Sequence, residues 1–258
     1  MAVVAVLAIT LVVVGVVISR GGNVEEQVET PERRQVSQPV NVIPVEQRPY
    51  IQIIPKADGR NLTIRVNDLK KEAQSIEYEL EYQAGTLLQG AFGSLSVDSF
   101  PSETEILLGS CSAGGACTYH EDVRGGKLTT KYQGDDPYAL RSDWRYIDNS
   151  ARETQVSSTD AMFQLESSNL SGLRYIVIFN TAGYPESPDG EIVSELYSLT
   201  ASSPISGTGQ LTIRASEEGD LVIAGWNGTE WVEFDSELDG RMVEAEVDLL
   251  ELYAAIKK

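Results

Sequence analysis

Few residues in this chain are of the kind that carries chemistry. Two cysteines, Cys111 and Cys117, stand six apart in Cys-Ser-Ala-Gly-Gly-Ala-Cys. That spacing suits the two arms of a short hairpin, where facing residues lie about 4.5–5.5 Å apart between Cα atoms, within reach of a disulfide. Two free thiols are the alternative. Half of a zinc site fails for want of partners, since a structural site takes four ligands and the chain has two cysteines and one histidine. A bonded pair implies an oxidising compartment.

The one histidine, His120, sits beside Glu121 and Asp122. An imidazole needs an exposed nucleophile to build a triad, and no Gly-x-Ser-x-Gly elbow is present, so His120 reads as a surface residue. With 39 Asp and Glu, paired carboxylates at the roughly 5–9.5 Å of a glycosidase are a matter of fold, not of counting. Asp135, Asp136, Glu186 and Asp189 offer oxygen ligands of the type calcium takes, but without the alternating EF-hand pattern they read as solvated loop acids. Trp226 and Trp231 flank Asn227-Gly228. Such a pair either presents docking aromatics to a protein or glycan or closes a core across two strands. The site reading is therefore a Cys111–Cys117 disulfide, Trp226 and Trp231 as a core-closing cross-strand pair with docking aromatics as the alternative, and no catalytic residue, metal or cofactor.

These residues are carried by 258 residues with a formal net charge of −19, a hydrophobic share of 41% and a charged share of 23%. The composition is that of a packed globular chain. The acidity leaves no basic stripe for phosphates and excludes a nucleic-acid partner. The opening run MAVVAVLAITLVVVGVVIS has no charge, and about 20 such residues cross a hydrocarbon core of roughly 30 Å. It reads as a transmembrane helix over Ala2–Ser19 within an anchor of residues 1–20. A cleaved leader would show a basic flank and a shorter apolar core. Arg20 would orient the span with the rest of the chain inside; the cysteine pair argues for outside, and a single-pass protein with its bulk extracytoplasmic is the expectation.

Residues 21–48 are rich in Pro, Glu and Gln and lack a period, as a disordered stalk would. From residue 49 the period becomes two. Ile76, Tyr78, Leu80 and Tyr82 alternate with three glutamates, and Val243, Ala245 and Val247 alternate with Glu244, Glu246 and Asp248. Further strands are read at 50–54, 61–66, 87–97, 105–109, 116–120, 127–132, 161–165, 175–180, 196–200, 209–215, 221–226 and 231–235, with hairpin turns at Asn227-Gly228 and Asp239-Gly240. One helical turn is read over Asp68–Ala73 behind an Asn67 or Asp68 cap. The Pro- and Gly-rich stretch from Gly183 to Gly190 reads as an interdomain connection. The expected architecture is all-β: helix, stalk, then two Ig-like antiparallel β-sandwich domains, 49–183 with the disulfide hairpin and a smaller 184–258.

The stretches Ile76–Tyr82, Gly90-Ala91-Phe92-Gly93, Ile106–Cys111, Cys117–His120 and Gly126–Thr129 resemble uncharacterised, membrane-anchored secreted β-sandwich proteins of candidate-phyla bacteria. Leu196–Leu199, Trp226–Trp231 and Tyr253–Ile256 look like a small β module of bacterial surface proteins. The resemblance implies fold and location and carries over no catalytic residue. The functional expectation is a non-enzymatic cell-surface protein, held by its helix, that binds a protein or glycan, adheres, or serves a structural role. The alternatives are a carboxylate-dependent glycan hydrolase outside the cytoplasm and an accessory subunit of an envelope complex.

Overall fold

The computed structural model describes residues 39–258. The anchor expected over Ala2–Ser19 and most of the stalk lie outside the described residues. Among the described residues no helix is long and apolar enough to cross a membrane.

In chain order the strands are β1 (Ile51–Pro55), β2 (Asn61–Val66), β3 (Ser75–Ala84), β4 (Leu87–Leu95), β5 (Ser102–Leu107), β6 (Gly109–Cys111), β7 (Cys117–Tyr119), β8 (Val123–Gln133), β9 (Tyr138–Asp148) and β10 (Gln155–Ser157). There follow β11 (Phe163–Glu166), β12 (Tyr175–Thr181), β13 (Glu191–Ile192), β14 (Leu196–Ala201), β15 (Thr208–Arg214), β16 (Leu221–Trp226), β17 (Trp231–Phe234), β18 (Ser236–Asp239), β19 (Met242–Asp248) and β20 (Leu252–Lys257). A long sheet runs β17-β16-β20-β14-β12-β9-β8-β3-β4, with β13 added beside β20. Smaller sheets are β1-β2-β5 and β10-β11-β15-β19-β18, and β6-β7 is a separate hairpin. The strand pairs within these sheets are antiparallel, as the absence of crossover helices in the sequence required.

Strands with one wet face alternate. In β3 and β19 every second side chain is buried, and most of the acids between them face solvent. Strands β12, β14 and β20 do not alternate, because both of their faces are covered. Val177 and Phe179 of β12 enter a core with Ile51, Ile64, Leu80 and Trp144, against the three-stranded sheet. Ile176 and Ile178 enter the opposite core with Phe163, Leu211, Ile223 and Val243, against the five-stranded sheet. The middle of the long sheet is thus the central layer of three. The connection expected around Gly183–Gly190 lies between β12 and β14, which pair directly from Ile176↔Ala201 to Thr181↔Leu196.

Besides packing across the core it shares with the long sheet, the three-stranded sheet meets that sheet at the β1 edge. Among the described residues no strand lines the open side of β1; instead, the Ile51 amide donates to Thr181 Oγ1 at 3.1 Å and Thr200 Oγ1 donates to the Ile53 carbonyl at 2.6 Å. The chain enters beside β9, where Val40 bridges Ala139 and the Asn41 side chain bonds both backbone groups of Arg141. Arg48 folds back onto the carbonyls of Ile43 and Asn41. The spacer expected to reach Arg48 has therefore joined the body by residue 40.

The helical turn expected over Asp68–Ala73 does not form. This segment carries the chain from one sheet to another, and its side chains are drawn to separate neighbours. Asp68 accepts the Tyr50 amide, Lys70 bonds the Tyr184 carbonyl with its ammonium over that ring, and Lys71 pairs with Asp136. Strands β9, β10, β13, β18 and β20 are additions to the sequence reading.

Because the two cores share β12, truncation on either face is expected to weaken both. Phe179→Ala should cost about 3–5 kcal/mol and Ile178→Ala about 2–5 kcal/mol. Urea unfolding followed by tryptophan fluorescence and far-ultraviolet circular dichroism should show one coincident transition in each variant; two separated transitions would show that the cores unfold independently.

Candidate functional site

The open edges of the sheets differ in how they are closed to other chains. Strand β5 carries Glu103 and Glu105, β18 carries Glu237 and Asp239, and β17 has four residues including Glu233, which is held by Lys258. Strand β10 is three residues long, and β1 is capped by threonines. Charge, brevity and covering are the usual ways to blunt an edge. Strand β4 has none of them. Its nine residues, Leu-Leu-Gln-Gly-Ala-Phe-Gly-Ser-Leu, hold no charge, and among the described residues it pairs on one side only. Leu87, Leu88 and Phe92 are 64%, 66% and 86% exposed.

Local sequence fixes which groups of β4 face outward. Gly85, at φ 56°, opens a two-residue turn that closes on Ala84↔Leu87. A turn of this length makes its closing pair hydrogen-bonded, and bonded pairs then alternate along the ladder. Residues 87, 89, 91, 93 and 95 therefore bond to β3, while Leu88, Gly90, Phe92 and Ser94 turn their N–H and C=O groups to the open side. On the solvent face, Gly90, Phe92 and Ser94 lie beside Glu81, Glu79 and Glu77 of β3. Lys127 and Lys131 of β8 follow in the next row, Lys127 paired with Asp143 at 2.6 Å. On the other face Gly93 is required by its neighbour, because a Cβ there would meet the Tyr78 hydroxyl at 2.7 Å.

The residues singled out in the sequence lie elsewhere. Cys111 and Cys117 face each other across the β6-β7 hairpin at 4.0 Å between Cα atoms and are disulfide-bonded. Trp226 and Trp231 form a cross-strand pair, edge to face at 6.0 Å. Trp226 is buried with Tyr50, Tyr184, Leu196 and Leu252, while Trp231 is half-buried and donates its indole N–H to the Glu186 carbonyl at 2.6 Å. His120 Nδ1 lies 2.9 Å from the hydroxyl of buried Tyr82, whose pKa is raised by burial. Asp136 is paired with Lys71 at 2.6 Å and Asp189 with Lys258 at 3.6 Å.

Carboxylates line several clefts, among them one of about 350 Å³ with Glu72, Asp135 and Asp136 and one of about 340 Å³ with Glu77 and Glu79. An open one of about 560 Å³ beside β1 is lined by Gln52, Ile54, Arg65, Thr200, Ile205 and Glu251 among others, and Glu251 is its one acid. There Gln52 donates to Glu251 at 3.2 Å and accepts from Asn67 at 3.1 Å. Another, of about 450 Å³, is lined by Glu195, Tyr197, Arg214 and Arg241 among others. Asp160 adjoins it, accepting from Ser158, from the Met162 amide at 3.0 Å, from Asn180 at 3.3 Å and from the Tyr197 hydroxyl at 3.5 Å. Glu195 reaches solvent, yet its carboxyl is held above the ordinary range, first by loss of hydration and then by Asp160, with Arg48 opposing.

No protein-family model, curated protein or solved structure matches the chain. The β4 edge was missed in the sequence, where the strand itself was read. Its signal was there: residues 82–97 form an unbroken uncharged stretch in a strongly acidic chain.

Two outcomes follow. Replacing both cysteines by serine opens a loop of six residues' separation and should cost about 2 kcal/mol, from the loop-length dependence of disulfide stabilisation, read as a lowered urea midpoint. For Glu195, a raised folded pKa means that the folded state binds more protons than the unfolded one between the ordinary carboxylate pKa and the raised value. Stability from this group falls as pH climbs through that window. Glu195→Gln should therefore melt higher than the parent at pH 7, with the difference vanishing below the ordinary carboxylate pKa of about 4.3.

Proposed function

We propose that the chain is a membrane-tethered, extracytoplasmic protein whose body serves as a rigid docking or structural element, with β4 as the docking edge. The observation that carries this is the nine-residue uncharged edge on an acidic body. An unpaired strand of this length offers main-chain hydrogen bonds for affinity and alternate side-chain positions for selectivity. The tether is supported by the apolar run over Ala2–Ser19, and the outward placement by the exposed disulfide hairpin. The Ig-like reading as two sandwiches is supported by two cores, each between the long sheet and one smaller sheet.

A second reading, hydrolysis of envelope glycans, is favoured by Glu195 and Asp160, two acids at one cleft with different environments. It ranks below docking because Asp160 is held by four donors, as a structural brace would be.

Single cysteines at exposed Glu218 and at Ser94 on the edge test the first reading. In intact cells a membrane-impermeant maleimide should label Glu218→Cys, and Ser94→Cys several-fold more slowly, the difference disappearing after dilution into detergent. Labelling of Glu218→Cys only after lysis would overturn the outward placement. Equal labelling of both sites throughout would overturn docking at β4.

A further inference from the structure

We propose that the occupant of the β4 edge is β4 of a second copy, paired antiparallel about Ala91 to give a two-fold dimer. The inference rests on the reading of β4 as a docking edge and names its partner. In this register the outward-bonding residues face one another as Gly90 with Phe92 and Leu88 with Ser94, while Gln89 faces Gly93 and Ala91 faces itself. Each of the bulky exposed side chains Phe92 and Leu88 thus meets a small residue, and the fit is self-complementary, as a two-fold interface requires. The four outward residues are those that the hairpin turn leaves free to bond, so the register satisfies the backbone as well.

Gly90 separates this occupant from others. Gly93 is explained within the chain by the Tyr78 ring, but nothing among the described residues calls for glycine at 90. A Cβ there would meet only the Leu80 carbonyl, at an ordinary 3.7 Å, and its φ lies outside the left-handed region. A glycine in a strand weakens it unless something approaches closely. In the paired register, Phe92 of the second copy lies across Gly90, and aromatic cover over an edge glycine is a known way of restoring strand stability.

Charge points the same way. On a chain of −19, contact between copies at β5, β17 or β18 brings glutamates or aspartates together, whereas β4 against β4 opposes no charges. The glutamate rows of the two β3 strands remain three strand spacings apart, about 14 Å. Nine residues a side is fewer than the roughly 20–30 of a standard interface, so the pairing gains from the proposed tether, which raises effective concentration in the membrane plane.

The test uses the full chain in phosphatidylethanolamine–phosphatidylglycerol vesicles under mild oxidation. The two Ala91 residues form a non-hydrogen-bonded pair, with Cα atoms about 4.5 Å apart and within disulfide reach. Ala91→Cys should give a dimer linked between residues 91, by peptide mapping, whereas Ser94→Cys, which faces Leu88, should not. Adding Gly90→Val to Ala91→Cys should cut the dimer yield about tenfold while the melting temperature holds or rises. Exchanging the two residues, with Gly90→Phe and Phe92→Gly together, should restore it. Equal cross-linking of Ala91→Cys and Ser94→Cys, or a yield indifferent to Gly90→Val, would overturn the pairing. Slow maleimide labelling of Ser94→Cys in cells without an Ala91 cross-link would overturn the second copy alone and leave docking at β4 standing; fast labelling would remove both.

Discussion

Strands β12, β14 and β20 have both faces covered, and the rest of the molecule is arranged around that constraint. A strand with one wet face can rely on polar residues at every second position; a strand with none must be apolar or internally satisfied along its length. Ile176 to Phe179 meet this with four consecutive apolar side chains. Of the buried polar residues of β14, Thr200 is satisfied by giving its hydroxyl proton to β1, and Ser198 is the exception, its Oγ having no partner among the described residues. The covering sheets are small because each has only one part of the long sheet to protect. Beyond that cover, at β4 and the outer face of β3, exposed apolar residues stand beside a row of glutamates.

Burial also explains which acids and bases depart from ordinary behaviour. Tyr50, Lys70 and Asp68 meet where the chain passes between sheets, and loss of hydration is the first cause of each shift: the phenol and carboxyl are raised and the ammonium is lowered. Asp68 shifts upward even though it accepts the Tyr50 amide and lies 4.0 Å from Lys70. These groups join elements together: Asp68 and Lys70 are spent on backbone partners, and the buried Tyr50 hydroxyl has no partner among the described residues, so their perturbation reflects packing and does not by itself mark chemistry.

Where one face is wet, the sequence was readable. The alternation of β3 and β19 and the turn at Asn227-Gly228 located strands closely, and the spacing of Cys111 and Cys117 located a hairpin, whereas at Asp239-Gly240 the turn was legible but its first arm, β18, was not. Strand β9 was lost because Arg141, Ser142, Asp143 and Arg145 interrupt it, although Tyr138, Leu140, Trp144 and Tyr146 keep a period of two beneath them. Strand β20 was lost for the opposite reason: Ala254 and Ala255 carry no strand preference of their own and take that form between β14 and β16. The helical turn at Asp68 failed because a cap residue says nothing about distant amides competing for its oxygen. No residue of a chemically active type marks the β4 edge in the sequence, since its distinguishing property is the lack of charge over nine residues.

The threonine caps on β1 have a consequence for how this protein can assemble. Hydroxyls projecting from the face of one sheet satisfy the side of another, so the smaller sheet cannot grow by accepting a further strand. Charge or brevity closes the other sheet ends. Among the described residues one extendable edge remains, which is a valence of one. Under the proposed pairing, contact through that edge uses it up, and assembly stops at a closed pair instead of running on into a filament.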